Sequence, residues 1–381
     1  MRAHLAQMFQ AGIDACHPQS VLPAHLPAAA DGDMIVLALG KAAGEMAAVA
    51  EARYGEKARG LAVVPHGVAA PLKRIALIRA GHPVPDAASV AAAERLLALA
   101  GAAGPGDFVL VLLSGGASAL ACLPGAGLTL ADKQALTAAL LRAGAPIGEI
   151  NCVRRHVSRI KGGRLPAHLT LAISDVVGDA PEDIGSGPTV ADPTTIADAR
   201  TILDRYGLEA PLGETAKRVA GEFRIVARAK DALDAAADEA RRLGYAPVLL
   251  GECTGEAREV GRRHAGAALA APPGSALLSG GELIVTVTGP GCGGPNVEYA
   301  LAAGLALAGR PNIIGLAADT DGLDGSSGAA GAWFGGGAPP AGAAEALARN
   351  DGAACADLFV TGPTGTNVND LRIILVKGDS Y

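Results

Sequence analysis

The chain predicts an α/β protein: a doubly wound parallel sheet, followed by a second, smaller α/β domain. Three observations carry that expectation. Strand-length apolar runs and Ala/Leu-rich helical stretches alternate throughout, as in sheets covered by helices. Phe108–Leu113 is apolar without interruption, as a strand buried on both faces requires. It runs directly into Ser114-Gly115-Gly116-Ala117-Ser118, where two glycines permit a tight turn and close approach to a ligand. Ligands of such sheets sit at the carboxyl ends of strands. Lys41, the 114–118 turn and Asp175 all fall at such ends.

The elements follow in order. Residues 4–16 have the spacing of an amphipathic helix, and a Pro-containing loop runs to about residue 32. Residues 34–39 make a buried-type strand, which Gly40-Lys41-Ala42-Ala43-Gly44 turns into a helix reaching about Arg53. Short strands are expected at 61–65 and 74–79. Gly81-His82-Pro83-Val84-Pro85-Asp86 is a stiff loop ending in a helix N-cap at Asp86. A long Ala/Leu helix then leads to the strand at 108–113, and a helix-forming Ala/Leu stretch follows the 114–118 turn. Helices are expected at 129–143 and 148–160, and a strand at 169–173 ends at Ser174-Asp175. Asp192-Pro193-Thr194-Thr195 caps a helix reaching Tyr206, and 207–213 reads as a linker. This places one domain at 1–212 and a second at 213–381. The second set of α/β signals opens with a strand at 223–227. A helix at 229–243, a strand at 246–250 and a helix at 255–270 come next, then short strands at 276–279 and 283–288. A helix at 296–308, a strand at 312–317 and a final strand at 371–376 complete it.

Composition bounds the function. The chain is half hydrophobic, with only 3% aromatics, so its cores must be built mainly from Ala, Leu and Val. Mean hydropathy is +0.30, yet no apolar run reaches the ~18 residues of a membrane span. The N-terminal stretch lacks the apolar core and cleavage pattern of a signal peptide. Six cysteines are scattered without a CxxC pair, which fits reduced thiols in the cytoplasm better than disulfides or zinc. A net charge of −6 argues against nucleic-acid or anionic-membrane binding.

Several stretches could carry chemistry. The free N–H groups after the 114–118 turn suit an anion, phosphate above all. Arg154-Arg155-His156-Val157-Ser158-Arg159-Ile160-Lys161-Gly162-Gly163-Arg164 holds five formal positive charges and no acid. On a helix, Arg155 and Arg159 share a face one turn apart, and guanidinium forks fit carboxylate or phosphate oxygens. A solvated basic face is the plainer use of such a run. Asp175 and Asp179 lie among small residues and glycines, a setting that suits magnesium or a general base. The plainer alternative is a polar loop with capping aspartates. Asp319-Thr320-Asp321-Gly322-Leu323-Asp324-Gly325 starts like an EF-hand loop, but position twelve is Ala330 rather than Glu. The loop 361–370 is dense in hydroxyls and amides. Gly289-Pro290-Gly291-Cys292-Gly293-Gly294 satisfies GxGxxG between an expected strand and a helix, which keeps a dinucleotide reading open. Gly116-Ala117-Ser118-Ala119-Leu120 falls one glycine short of a nucleophile elbow, and no Walker A sequence occurs.

Eight ordered blocks together resemble the glycerate 2-kinase family, whose C-terminal domain is called MOFRL and some of whose members carry the older label hydroxypyruvate reductase. The blocks are LGKAAGEMA from Leu39, GHPVPD from Gly81, LLSGGASAL from Leu112 and INCVRRHVSRIKGGRL from Ile150. ISDVVGDAPEDIGSGPTVADPTT from Ile173, GGELIVTVTG from Gly280, AADTDGLDG from Ala317 and TGPTGTNVNDL from Thr361 complete the set. The resemblance implies a Rossmann-like N-terminal domain and a smaller MOFRL domain, with the active site in the cleft between them. It implies transfer of the ATP γ-phosphoryl group to the 2-hydroxyl of D-glycerate with Mg2+. Lys41, Asp175, Asp321 and Asn367 occupy the family's active-site motifs. Lys41 and the turn of Ser114, Gly115, Gly116, Ala117 and Ser118 would hold phosphates, and Arg155 or Arg159 the glycerate carboxylate. Asp175 would orient or deprotonate the hydroxyl, with Asp179 or Asp321 assisting through the metal. The expected partner is the small-molecule substrate, and a homodimer stays open. Where many members read Gly-Arg-Gly-Gly-Arg-Asn-Gln-Glu, this chain reads Gly291-Cys292-Gly293-Gly294-Pro295-Asn296-Val297-Glu298. Charge supplied elsewhere or a different hydroxy acid would answer that loss. A nicotinamide-dependent hydroxypyruvate reductase and a non-catalytic binding relative are the competing readings.

Overall fold

Six strands, β1 (Met34–Leu39), β2 (Ala58–Pro65), β3 (Ile75–Ala80), β4 (Phe108–Leu113), β5 (Leu169–Ile173) and β6 (Glu222–Ala227), form the first sheet of the computed structural model. The model describes residues 1–378. The strand order is β3-β2-β1-β4-β5-β6, and the pairs β2–β3, β1–β2, β1–β4 and β4–β5 are parallel. Every residue of β1 and β5 is buried, which explains runs with no polar alternation. The order reverses between β1 and β4, so the topological switch point lies at their carboxyl ends. Asp86 caps the helix Ala87–Gly101 as the sequence predicts, accepting the Ser89 N–H.

The second sheet runs β11-β10-β9-β12-β8-β7. Its strands are β7 (Ala246–Glu252), β8 (Ser275–Gly280), β9 (Ile313–Asp319), β10 (Gly331–Gly335), β11 (Asp357–Phe359) and β12 (Asp370–Val376). It is mixed: β7–β8 is parallel, while β8–β12, β12–β9, β9–β10 and β10–β11 are antiparallel.

Two compact units result, Pro18–Val226 and Met1–His17 with Ala227–Tyr381. The division differs from the expected 1–212 and 213–381 at both ends. The strand expected to open the second domain is β6, an edge of the first sheet, because Phe223 and Ile225 pack on the first core. The N-terminal helix Arg2–Cys16 belongs to the C-terminal unit. Leu5, Met8, Phe9 and Ile13 are buried there with Leu233, Leu278, Leu316 and Ile373.

Four elements depart from expectation. The helix after the 114–118 turn is a single turn, Ala117–Leu120. The helix expected at 148–160 is Ile147–His156. Residues 283–288 form no ladder strand, only an isolated bridge from Ile284 to Glu256. The Gly-rich region beyond 320 supplies β10, the helix Ala343–Ala348 and β11. Among the described residues no helix is long and apolar enough to cross a membrane.

Candidate functional site

At the switch point the turns leaving β1 and β4 interlock. Gly40 has φ +128°, and a Cβ there would lie 2.5 Å from the Ser114 carbonyl oxygen, so only glycine fits. The Lys41 N–H donates to the Gly115 carbonyl at 2.8 Å. Ser114 is fully buried, and its Oγ accepts the Ala42 N–H at 3.1 Å. The Ser114 hydroxyl thus ties the two turns together, and because the residue's N–H donates to Leu39 O at 2.9 Å, Ser114 itself keeps no free backbone donor for the expected phosphate contact. Gly116, at φ +82°, makes room for its neighbours. A Cβ there would meet the His82 ring at 3.0 Å and Lys41 Cγ at 3.4 Å. Lys41, His82 and Gly115-Gly116 therefore form one cluster. Sequence reasoning assigned His82 no role, although the GHPVPD block that carries it was visible.

Ser118 faces another way. Its Oγ lies 2.9 Å from Ser186 Oγ, and Ser186 donates to Asn151 Oδ1 at 3.3 Å. Ala117 packs beneath Gly185, where a Cβ would approach it to 3.1 Å. Asp175 follows β5, whose Ala172 is registered on Leu113 of β4, so it sits one strand over from the turn. Asp179 adopts a left-handed φ of 54° and donates its N–H to Val176 O at 3.0 Å. Both carboxylates are half-buried.

The basic stretch is used differently from expectation. Arg155 and Arg159 share no helical face, because the helix ends at His156. Arg155 is buried, with Nη1 3.2 Å from Asp183 Oδ1 and 3.0 Å from the Glu182 carbonyl, and Nε 3.0 Å from Asp192 Oδ1. Burial alone would raise the Asp192 pKa, but hydrogen bonds from Thr194 and the Arg155 charge hold it below the usual range. Arg155 therefore organises the loop around 182–192 instead of presenting an open fork. Arg164 is spent on the carbonyls of Arg155, Lys161, Gly213 and Glu214. Arg159 is exposed and remains the candidate for a carboxylate.

In the C-terminal unit the expected acidic loop and the 361–370 loop meet at one end of the sheet, where Asp319 and Asp370 are paired in register. Thr320 Oγ1 donates to Asn369 O at 2.7 Å and accepts the Val368 N–H at 2.9 Å. Asp321 and Asn367 are both buried here. Asp321 Oδ1 accepts the Leu323 N–H at 2.7 Å. Behind them runs a polar row that sequence reasoning missed. Asp324 accepts the N–H groups of Asn296 and Val297 at 2.9 and 2.8 Å, capping the helix Pro295–Ala306 from outside. Asn296 Nδ2 donates to Asp370 at 2.6 Å, and Asp370 accepts from Arg372 at 2.9 Å. Burial pushes Asp324 up to about 7, against those N–H donors. Asp324 and Asp370 stood in loops visible in the sequence, but only the fold joins them through Asn296 and Arg372.

The GxGxxG match dissolves in this setting. No ladder strand precedes it, and its glycines face the chain itself. A Cβ at Gly289, Gly291 or Gly294 would strike Arg349 O at 2.2 Å, Asp351 Cα at 2.5 Å or Asp324 Cγ at 2.4 Å. Cys292 is exposed, and its Sγ donates to Ser326 O at 2.7 Å. Among the described residues no three His, Cys, Asp or Glu side chains gather into a metal cage.

Two family models match the chain. One, described as a domain of unknown function (DUF4147), matches residues 4–220, and the MOFRL family model matches 275–370. The protein is therefore of the class that joins a DUF4147 module to a MOFRL module. An Agrobacterium vitis protein with the provisional name hydroxypyruvate reductase is 43% identical over 98% of this chain and 94% of its own. A Thermotoga maritima protein named D-glycerate 2-kinase is 37% identical, covering 97% of each chain. The crystal structure of a Thermotoga maritima glycerate kinase superposes with a TM-score of 0.85 at 36% identity, over 97% of this chain and 98% of that one. The chain belongs to the glycerate kinase family.

Proposed function

We propose that the chain is a glycerate 2-kinase. The 2-hydroxyl oxygen of D-glycerate attacks the γ-phosphorus of ATP, the bond to the β,γ-bridging oxygen breaks, and ADP leaves with 2-phosphoglycerate formed. The observation that carries this reading is the Lys41–His82–Gly116 cluster at the switch point, in a chain of this family. The order 3-2-1-4-5-6 also supports a Rossmann-like reading of the first unit. Phosphoryl transfer asks chiefly for positioning and for cancellation of negative charge. Lys41 and the backbone of 115–118 are assigned to phosphate oxygens, and Asp175 to the hydroxyl proton. Arg159 takes the substrate carboxylate, and Arg155 holds the adjoining loop. Asp321 and Asn367 of the second unit are assigned to the same reaction. Mg2+ brought by ATP needs only one or two carboxylates beside the phosphates. Asp179 and Asp321 are hard oxygen donors of that kind, so the absence of a three-residue cage is no misfit. The metal would neutralise charge on the phosphates.

The test incubates the purified protein with D-glycerate and Mg-ATP and, separately, hydroxypyruvate with NADH or NADPH. ADP release that requires glycerate is expected. Nucleotide oxidation with hydroxypyruvate would overturn the assignment. Asp175→Asn should lower kcat by about 10²–10⁴-fold, the usual worth of a general base; unchanged turnover would remove Asp175 from that role.

A further inference from the structure

Beside the Ser118 end of the turn lies a group of basic side chains with no carboxylate partner among the described residues. Lys133, on the helix Leu130–Arg142, is 4% exposed, and its Nζ finds no hydrogen-bond partner. Lys161 is buried and donates only to neutral carbonyls, those of Ser118 at 2.7 Å and Ala121 at 3.2 Å. Arg154, half-buried, reaches Asn151 Oδ1 at 3.4 Å. Arg154 and Arg164 press their charges on Lys133, and Lys133 and Arg154 press theirs on Lys161. The opposing influence comes from Cys122, and among the described residues no carboxylate pairs with Lys133, Lys161 or Arg154. The contrast is with the next residue along, Arg155, which has both Asp183 and Asp192.

Unpaired buried ammonium groups are costly. Burial accordingly draws Lys133 down to about 8, still largely charged at neutral pH. A chain of hydrogen bonds, Ser118–Ser186–Asn151–Arg154, links the group to the turn. We propose that Lys133, Arg154 and Lys161 form a subsite for a small oxyanion, a carboxylate or a phosphate. The missing counter-charge is then the ligand's own. The proposal rests on the kinase reading for its natural occupants: a phosphate of donor or product, or the acceptor's carboxylate taken here in place of Arg159.

The full chain and its Lys133→Met variant are titrated with D-glycerate and with inorganic phosphate, following affinity by calorimetry and melting temperature by circular dichroism. Without anion, K133M should melt higher than the parent, because an uncompensated charge is gone. Its affinity for one of the two probes should fall at least tenfold, and the affected arm identifies carboxylate or phosphate as the occupant. Lys133→Arg, which keeps the charge, should stay within threefold of the parent. Unchanged affinity for both probes in K133M overturns the subsite, even where glycerate-dependent ADP release persists. Lys133-dependent binding in a protein that releases no ADP upholds the subsite while the kinase reading falls.

Discussion

Gly116 shows how much a single missing side chain can decide. Its left-handed φ and the His82 ring both exclude a Cβ. Gly116→Ala should therefore cost about 1 kcal/mol of stability and, by displacing His82 or Lys41, more than tenfold in kcat/KM; a steady-state assay beside a urea melt separates the two effects. His264 illustrates a residue whose charge state matters to folding. Its Nδ1 lies 3.0 Å from the Tyr299 hydroxyl, and Cys253 Sγ lies 3.6 Å from Nε2. Burial, then the charges of Arg372 and Arg263, lower its pKa to about 4. The folded state thus favours the neutral ring. Its stabilisation is complete above the unfolded value near 6.5 and is lost as pH falls toward 4. Denaturant unfolding at pH 7 and pH 4.5 should show that loss, about 1–3 kcal/mol, and His264→Gln should reduce it.

Elements here are closed by residues distant in sequence. The helix Pro295–Ala306 begins after a glycine with no capping side chain of its own, and Asp324 serves it from across the loop. Asp324→Ala strands the N–H groups of Asn296 and Val297, so a loss of about 2–4 kcal/mol is expected in the melt of the C-terminal unit. The change should also raise KM, because the same loop carries Asp321. The 114–118 turn is likewise closed from outside, by Lys41 on one side and Ser186 on the other. Its strand and its glycines were legible from the chain alone. The single helical turn that follows was not, since Ala119 and Leu120 suit a helix of any length. Only the packing of Gly185 on Ala117 and the bonds from Lys161 show where it stops.

The whole molecule corrects the linear order of domains. Residues 1–17 complete the core of the unit that begins at 227, where Phe9 stacks edge-on against Phe359 with centroids 5.4 Å apart. Phe9→Ala should cost about 3–5 kcal/mol. In a two-transition melt the loss should fall on the C-terminal unit and leave Pro18–Val226 unchanged. Loss in the other transition would assign the helix to the first unit after all.

The chain by itself determined the buried strands of the first sheet, the Asp86 cap and the placing of Lys41, the 114–118 turn and Asp175 at strand ends. Those features are local: apolar runs of strand length, glycines at turns and a capping aspartate each act within a few residues. The tertiary structure alone decided where β6 and the first helix belong, that Arg155 is spent on Asp183 and Asp192, and that the GxGxxG loop faces its own chain. These outcomes depend on contacts between residues far apart in sequence, as with Gly289 and Arg349 or Phe9 and Phe359. An arginine reads the same in sequence whether its carboxylate comes from a ligand or from its own loop, and only burial and distance separate the two.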